Sequence, residues 1–391
     1  MHRTSFLFFI ISAFSFITQA QSKVDKLIFI DTHNDVISKQ MITGADLAKE
    51  QPETDLDLPK AKRGMLAAQV FSIWCDETYG NGRAYAWANR EIDSLNALIK
   101  RNPEKMALVT DYKGLRKAIK KNKLAALIGV EGGHMIEDRI DYIDSLYKRG
   151  MRYLTLTWNN STTWATSAKD EVTKKDSLPF TGLTAKGKQI VSHLNELGVM
   201  VDISHVGEKT FYDVLSVAAK PVIASHSCAY ALCAHRRNLK DDQLKAVAKN
   251  GGVVFVNFYS QFLDSSYEKK VMPFLTAHKH ETDSLIIIFK DPDLATIHLF
   301  HLYQKETDAF RPPLSLLIKH IDYMVKLMGI DHVGIGSDFD GAESFPLQLN
   351  DVSNYPLITT ALQKLGYTIP DIKKITSENF IRVLKANEKK L

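Results

Sequence analysis

Eight apolar runs of strand length recur along this chain, each separated from the next by a longer stretch that reads largely as amphipathic helix. They are LIFI (27–30), AAQVFSIW (67–74), LAALIGV (124–130), RYLTLT (152–157), VMVDIS (199–204), PVIAS (221–225), GVVFVNF (252–258) and HVGIGS (332–337). Runs this continuously apolar suit strands covered on both faces, and their alternation with helices implies a parallel sheet. Two of the intervening stretches, DRIDYIDSLYKRG and TAKGKQIVSHLNELG, end in Gly as helix C-termini often do. Eight units predict an α/β fold of the (β/α)8, TIM-barrel type, with an open doubly wound sheet as the alternative. A dinucleotide fingerprint would favour the open sheet, but GVEGG and GIGSDFDG lack the G-x-G-x-x-G spacing.

The rhythm breaks between about 263 and 313, a charged, His-bearing stretch that closes with Pro312-Pro313. It is expected to be an insertion after the seventh strand, partly helical, serving as a lid or as an oligomer contact such as that of a homodimer. Its HKH (278–280) reads as a solvated turn, with metal binding as the alternative. At 391 residues and 45% hydrophobic content, one barrel domain over 21–391 is the simplest organisation.

Lys and Arg number 50 against 45 Asp and Glu, and KGLRKAIKKNK (113–123) reads as a solvated helix face, so no nucleic-acid partner is expected. Residues 1–20 combine Arg3, the apolar FLFFIISAFSFI and a terminal TQA. That pattern predicts a secretory signal, too short for a comfortable span, with an anchor helix as the alternative. VLKANEKKL lacks the tail a glycolipid anchor needs. The mature chain is expected to be exported, periplasmic or secreted, without a stable membrane anchor. Cys75, Cys228 and Cys233 are too few for a disulfide framework, and no C-x-x-C is present, so any metal would be held by His and carboxylates.

Polar residues fall at the ends of these runs. His33 and Asp35 follow the first, Glu131 the third, His205 the fifth, His226 the sixth and Asp338 the eighth. In barrel enzymes the working residues occupy the C-terminal ends of strands, so all six would converge on one mouth. Side chains two apart in a strand share a face, which would put His33 and Asp35 together on the barrel interior. Three imidazoles and two carboxylates suit zinc, and five ligands exceed one tetrahedral ion, so two ions bridged by one carboxylate use them economically. Manganese, cobalt or iron remain open on ligand type.

DTHNDV, LIGVEGGH, MRYLTLT, SHS, RRN, VNFY, GSDFDG and DVSNYP together give the chain a resemblance to the renal-type membrane dipeptidases, from about residue 27 to 385. The resemblance implies a binuclear zinc peptidase with a (β/α)8 fold. His33 and Asp35 would hold one zinc, His205 and His226 the other, and Glu131 would bridge them. It also implies Arg237 as the contact for the substrate carboxylate and Asp338 as the proton-handling acid. A shared water or hydroxide would be the nucleophile, with Glu131 and Asp338 in the catalytic set and a small dipeptide as substrate. A C-terminal D-residue would be tolerated.

One departure stands out. Family members such as the kidney enzyme carry a His after YLTLT, whereas this chain has Trp158, which offers one N–H donor and a large apolar face. Asn159 or Asn160 could supply a replacement hydrogen bond, so Trp158 and Asn159 are expected at the substrate. The Cys that pairs in the family with the position of Cys75 is missing, implying a free thiol there. Arg236 is expected to face elsewhere, and His134, His193 and His235 to be structural or exposed. Competing readings are a metal-dependent amidohydrolase or lactonase of other small substrates, and a binding protein whose catalysis is weakened.

Overall fold

A computed structural model of the chain describes residues 27–79 and 82–389. The leader expected over 1–20 lies outside the described residues. The strands are β1 (Phe29–Asp31), β2 (Leu66–Ile73), β3 (Met106–Leu108), β4 (Leu124–Glu131), β5 (Met151–Thr155), β6 (Met200–Asp202), β7 (Ile223–Ala224), β8 (Val253–Val256) and β9 (Val333–Ile335). All pairings between these strands are parallel. The ring β1-β2-β4-β5-β6-β7-β8-β9 closes where Asp31 of β1 pairs Ile335 of β9. This is the closed eight-stranded (β/α)8 barrel. Each expected run overlaps one barrel strand. The unexpected β3 pairs only with the first residues of β4, Met106 opposite Leu124.

Alternation along the strands sorts side chains into two layers. In β8, Val253 and Phe255 join an inner cluster with Ile30, Val70, Leu127 and Tyr153. Val254 and Val256 join the outer cluster beneath the helices. The inner layer is filled rather than open. Tyr153 lies against Gly129, where a methyl group would overlap its ring, so a large side chain on one strand requires none on its neighbour.

Helices complete each unit. Helix Ala185–Leu197 starts with the Thr184 hydroxyl accepting from Gly187 N and ends at Gly198 in the left-handed conformation (φ 84°). The stretch after β8 forms helices Tyr267–Ala277, Lys279–Phe289 and Pro292–Leu302. They pack on a small core of their own that includes Val271, Phe274, Leu285 and Leu299. Within it, HKH starts a helix, and His278 Nδ1 lies 3.1 Å from Glu281 Oε2, one turn along. No helix of the described residues is long and apolar enough to cross a membrane.

Candidate metal centre

The strand ends bring the predicted residues together at one mouth of the barrel. His33, Asp35, Glu131, His205, His226 and Arg237 are all buried. His33 Nε2 lies 3.5 Å from Asp35 Oδ2, 3.3 Å from Glu131 Oε2 and 3.8 Å from Asp338 Oδ1. The other oxygen of Glu131, Oε1, lies 2.9 Å from His205 Nε2 and 3.5 Å from His226 Nε2. Those two nitrogens are 3.0 Å apart. Two groups of ligand atoms lie within 4.8 Å of one another: His33, Glu131 and His226, and His33, Asp35 and Asp338.

This spacing fits cations. Metal–ligand bonds of about 2.0–2.1 Å at the tetrahedral angle put neighbouring ligand atoms about 3.3 Å apart. His33 Nε2, Asp35 Oδ1 and His205 Nδ1 are buried without a hydrogen-bond partner, as polar atoms rarely are. Burial, then the Arg237 charge, brings the His205 imidazole down to about 3. Burial, then His33 and Arg237, holds His226 well below its usual range. Both are therefore neutral at pH 7, the form that ligates metal. Burial opposes the charge on Glu131, but the neighbouring His33 and His205 outweigh it and hold the carboxyl well below its ordinary range.

A supporting layer orients these ligands. His226 Nδ1 sits 2.8 Å from Ser225 Oγ, which donates to Asp202 Oδ2 at 2.6 Å. The same Oδ2 accepts from the Thr155 hydroxyl, while Oδ1 accepts from Ser204 N and Ser225 N. His33 Nδ1 lies 2.9 Å from the Tyr153 hydroxyl. Asp31 accepts from His33 N, Ser337 N, Ser337 Oγ and the Tyr355 hydroxyl. Such partners fix the tautomer and ring angle of a ligating His. Sequence reasoning missed Asp31, Asp202 and Tyr153.

The route by which His33 and Asp35 meet also differs from expectation. Ile30 faces inward and Phe29 outward. A continued strand would therefore turn His33 and Asp35 outward. β1 ends at Asp31, and the irregular chain beyond it brings both residues to the mouth.

A cavity of about 400 Å³ opens above the cluster, lined by Asp35, Glu131, His205, Arg237 and Asp338 together with Trp158 and Asn159. Arg237 is 4% exposed, donates from Nη2 to His226 O, and has no partner for Nε among the described residues. Asp338 Oδ2 accepts from Asn257 Nδ2 at 2.8 Å. Burial pushes the Asp338 carboxyl up to about 7; His33 pulls it down, while Asp35 and Glu131 push it further up. Trp158 packs 5.0 Å from Trp74 and 6.4 Å from His205, ring centre to ring centre. Arg236, expected to face elsewhere, is exposed but lines this cavity, as does His235. His193 pairs with Asp144 and His134 with the Cys75 carbonyl. All three cysteines are buried and free.

Residues 17–390 match the model of the membrane dipeptidase family, peptidase family M19. A crystal structure of dipeptidase AC, a metallopeptidase of family M19, is 24% identical, with 93% of this chain and 99% of that one covered and a TM-score of 0.74. A metallopeptidase from Rhodobacter sphaeroides, liganded with a phosphinate mimic of the dipeptide L-Ala-D-Ala, is 23% identical over 93% of this chain and 100% of its own, again with a TM-score of 0.74. At these identities the likeness is one of fold.

Proposed function

Because the chain belongs to the membrane dipeptidase family, peptidase family M19, we propose that it is a zinc-dependent dipeptidase acting at the cluster around Glu131. The observation that carries this reading is the division of the Glu131 carboxylate. Its Oε2 faces His33 at 3.3 Å, and its Oε1 faces His205 at 2.9 Å and His226 at 3.5 Å. One carboxylate thus serves two sets of ligands, His33 with Asp35 and His205 with His226. Two zinc ions held there would supply Lewis acidity toward the scissile carbonyl and lower the pKa of a water.

The chain's own side chains do the rest. Arg237, buried and short of acceptors, receives the C-terminal carboxylate through charge-assisted hydrogen bonds. Asp338, held at Oδ2 by Asn257, keeps Oδ1 to accept the proton of the attacking water and return it to the departing amine. Trp158 and Asn159 wall the substrate, and Trp158 leaves that side of the site without an imidazole. A grip on the carboxylate does not itself read the handedness of the residue that bears it. A C-terminal D-residue is therefore acceptable, as in the L-Ala-D-Ala mimic bound by the Rhodobacter relative.

The test is metal analysis combined with hydrolysis of Gly-D-Ala and Leu-Leu. Two equivalents of zinc, turnover, and its loss on Arg237→Ala are expected. Two bound zinc ions with no turnover of any dipeptide would defeat the reading, and cleavage untouched by Arg237→Ala would redirect it to substrates without a free carboxylate.

A further inference from the structure

The strand that ends in Glu131 is flanked by two tryptophans. In the barrel β4 lies between β2 and β5, with Val130 opposite Ile73 and Glu131 opposite Thr155. Trp74 directly follows β2, and Trp158 stands a short way beyond β5. Their ring centres are 5.0 Å apart, the rings tilted by 59°, and both side chains line the cavity.

The surrounding bonds fix the pair in place. The Trp74 carbonyl accepts from Trp87 Nε1 at 3.2 Å. The turn that carries Trp158 is pinned by Ser167 Oγ donating to Asn159 O at 2.7 Å and by Ser161 N donating to Asp170 Oδ2 at 2.8 Å. Gly132, next to Glu131 and at φ 96°, permits the close approach: a β-carbon there would overlap the His134 ring and stand 3.3 Å from Trp158 Cβ. The Trp158 ring also lies 6.4 Å from that of His205. A group held over Glu131 and His205 therefore meets the Trp158 indole.

Both tryptophans are only half-buried, so indole surface stays open to the cavity beside the polar ligand cluster. Open apolar surface is informative where it is contiguous. The inserted helices extend it with Met272, Leu275 and Ile297, and Met272 is 50% exposed. At about 400 Å³ the cavity is within the range of pockets that take drug-sized ligands. A dipeptide of two small residues would leave the indoles facing water. We infer that Trp158, backed by Trp74, selects dipeptides in which a residue flanking the scissile bond carries an aromatic side chain. This rests on the dipeptidase reading and names a substrate class for it. An aromatic ring on the substrate buries apolar area against the indoles, and offset or edge-on contact between rings adds to what the area alone supplies.

The experiment measures kcat/KM for Phe-Ala, Ala-Phe, Ala-Ala and the two cyclohexylalanine counterparts on the zinc-loaded protein. Both orders are used because either side chain flanks the bond. At least one Phe dipeptide should exceed Ala-Ala by about tenfold or more, and its cyclohexylalanine counterpart by about two- to tenfold. Both ratios should fall in Trp158→Ala, whereas Trp158→Phe should keep most of each. Ratios taken within one protein cancel a uniform loss through folding or zinc content. Ala-Ala turned over as fast as both Phe dipeptides, or ratios unchanged in Trp158→Ala, would overturn the inference and leave the dipeptidase reading standing. Cyclohexylalanine dipeptides equal to their Phe counterparts would overturn it as well, since bulk and not the ring would then be read. Absence of turnover on all five peptides would remove the dipeptidase reading and this inference with it.

Discussion

Replacing Asp202 by Asn should disarm one metal ligand without touching it. In the native arrangement His226 Nδ1 carries its proton toward Ser225 Oγ, and Ser225 donates its own to Asp202 Oδ2 at 2.6 Å. Nε2 is then the lone-pair nitrogen facing Glu131. In the variant the amide oxygen keeps the two backbone donors, Ser204 N and Ser225 N, because they sit on the Oδ1 side. The amide NH₂ falls where Oδ2 was and donates to Ser225, whose hydroxyl hydrogen must then turn to His226 Nδ1. That places the imidazole proton on Nε2, the wrong tautomer for ligation. Restoring the ligating form leaves the new amide N–H facing the Ser225 hydroxyl proton, a buried donor without an acceptor, at a cost of about 1–3 kcal/mol. The expected result is a loss of about 5- to 150-fold in affinity for one of the two zinc ions of the proposed centre. Competition against a fluorescent chelator measures it, with thermal melts as the control for folding. Thr155→Val removes the other hydroxyl on Oδ2 and should lower stability while leaving zinc affinity near wild type. Wild-type affinity for both ions in Asp202→Asn would refute the tautomer argument.

Arg237→Met should reduce dipeptide kcat/KM by about 30-fold or more, chiefly through KM. Its melting temperature should hold or rise, since a buried guanidinium with one hydrogen bond to His226 O is removed. Gly341→Ala places a methyl group against the Asp35 carboxylate and close to Asp338, so zinc affinity should fall while the far-UV circular dichroism is unchanged. Glu91 on helix Ala84–Arg101 is buried, with Oε2 unpartnered, and burial raises its carboxyl well above the ordinary range against a hydrogen bond from Ser38. A raised acid binds its proton more tightly when folded, so its contribution to stability is full below about pH 4 and declines as pH climbs to the folded value. Glu91→Gln should therefore match wild type in thermal melts at pH 4 and exceed it increasingly toward pH 8.

The barrel was legible because each strand is buried on both faces, and that condition writes an unbroken apolar run into a few adjacent residues. β3 escaped because it is not buried on both faces, Leu108 being exposed, and it touches only the first part of β4. The candidate ligands were legible because they are polar residues interrupting or ending such runs. Their supports were not. Asp31 is tied to Tyr355 and Ser337, more than 300 positions away, and Asp202 to Thr155 on β5 and to Ser225 just past β7. An aspartate beside a strand does not announce which donors will reach it.

The centre is built where strand periodicity stops. Val201 and Ile203 face outward in and beyond β6, so continued alternation would send His205 outward as well. It returns to the mouth through a left-handed backbone, φ 67°, which a residue with a β-carbon adopts at a cost of about 1–2 kcal/mol. The same parity holds at His226, two residues beyond the outward-facing Ala224, and at His33, four beyond Phe29. Each imidazole thus depends on a departure from the strand that the surrounding bonds must enforce. Asp202 accepts from Ser204 N and Ser225 N, next to His205 and His226, and Asp31 accepts from His33 N itself. Ala168 N donates to the His205 carbonyl at 2.8 Å and holds the other side of that turn. These buried carboxylates make three irregular turns one rigid structure, and the ligand atoms stand at metal-like separations because the turns, not the strands, aim them.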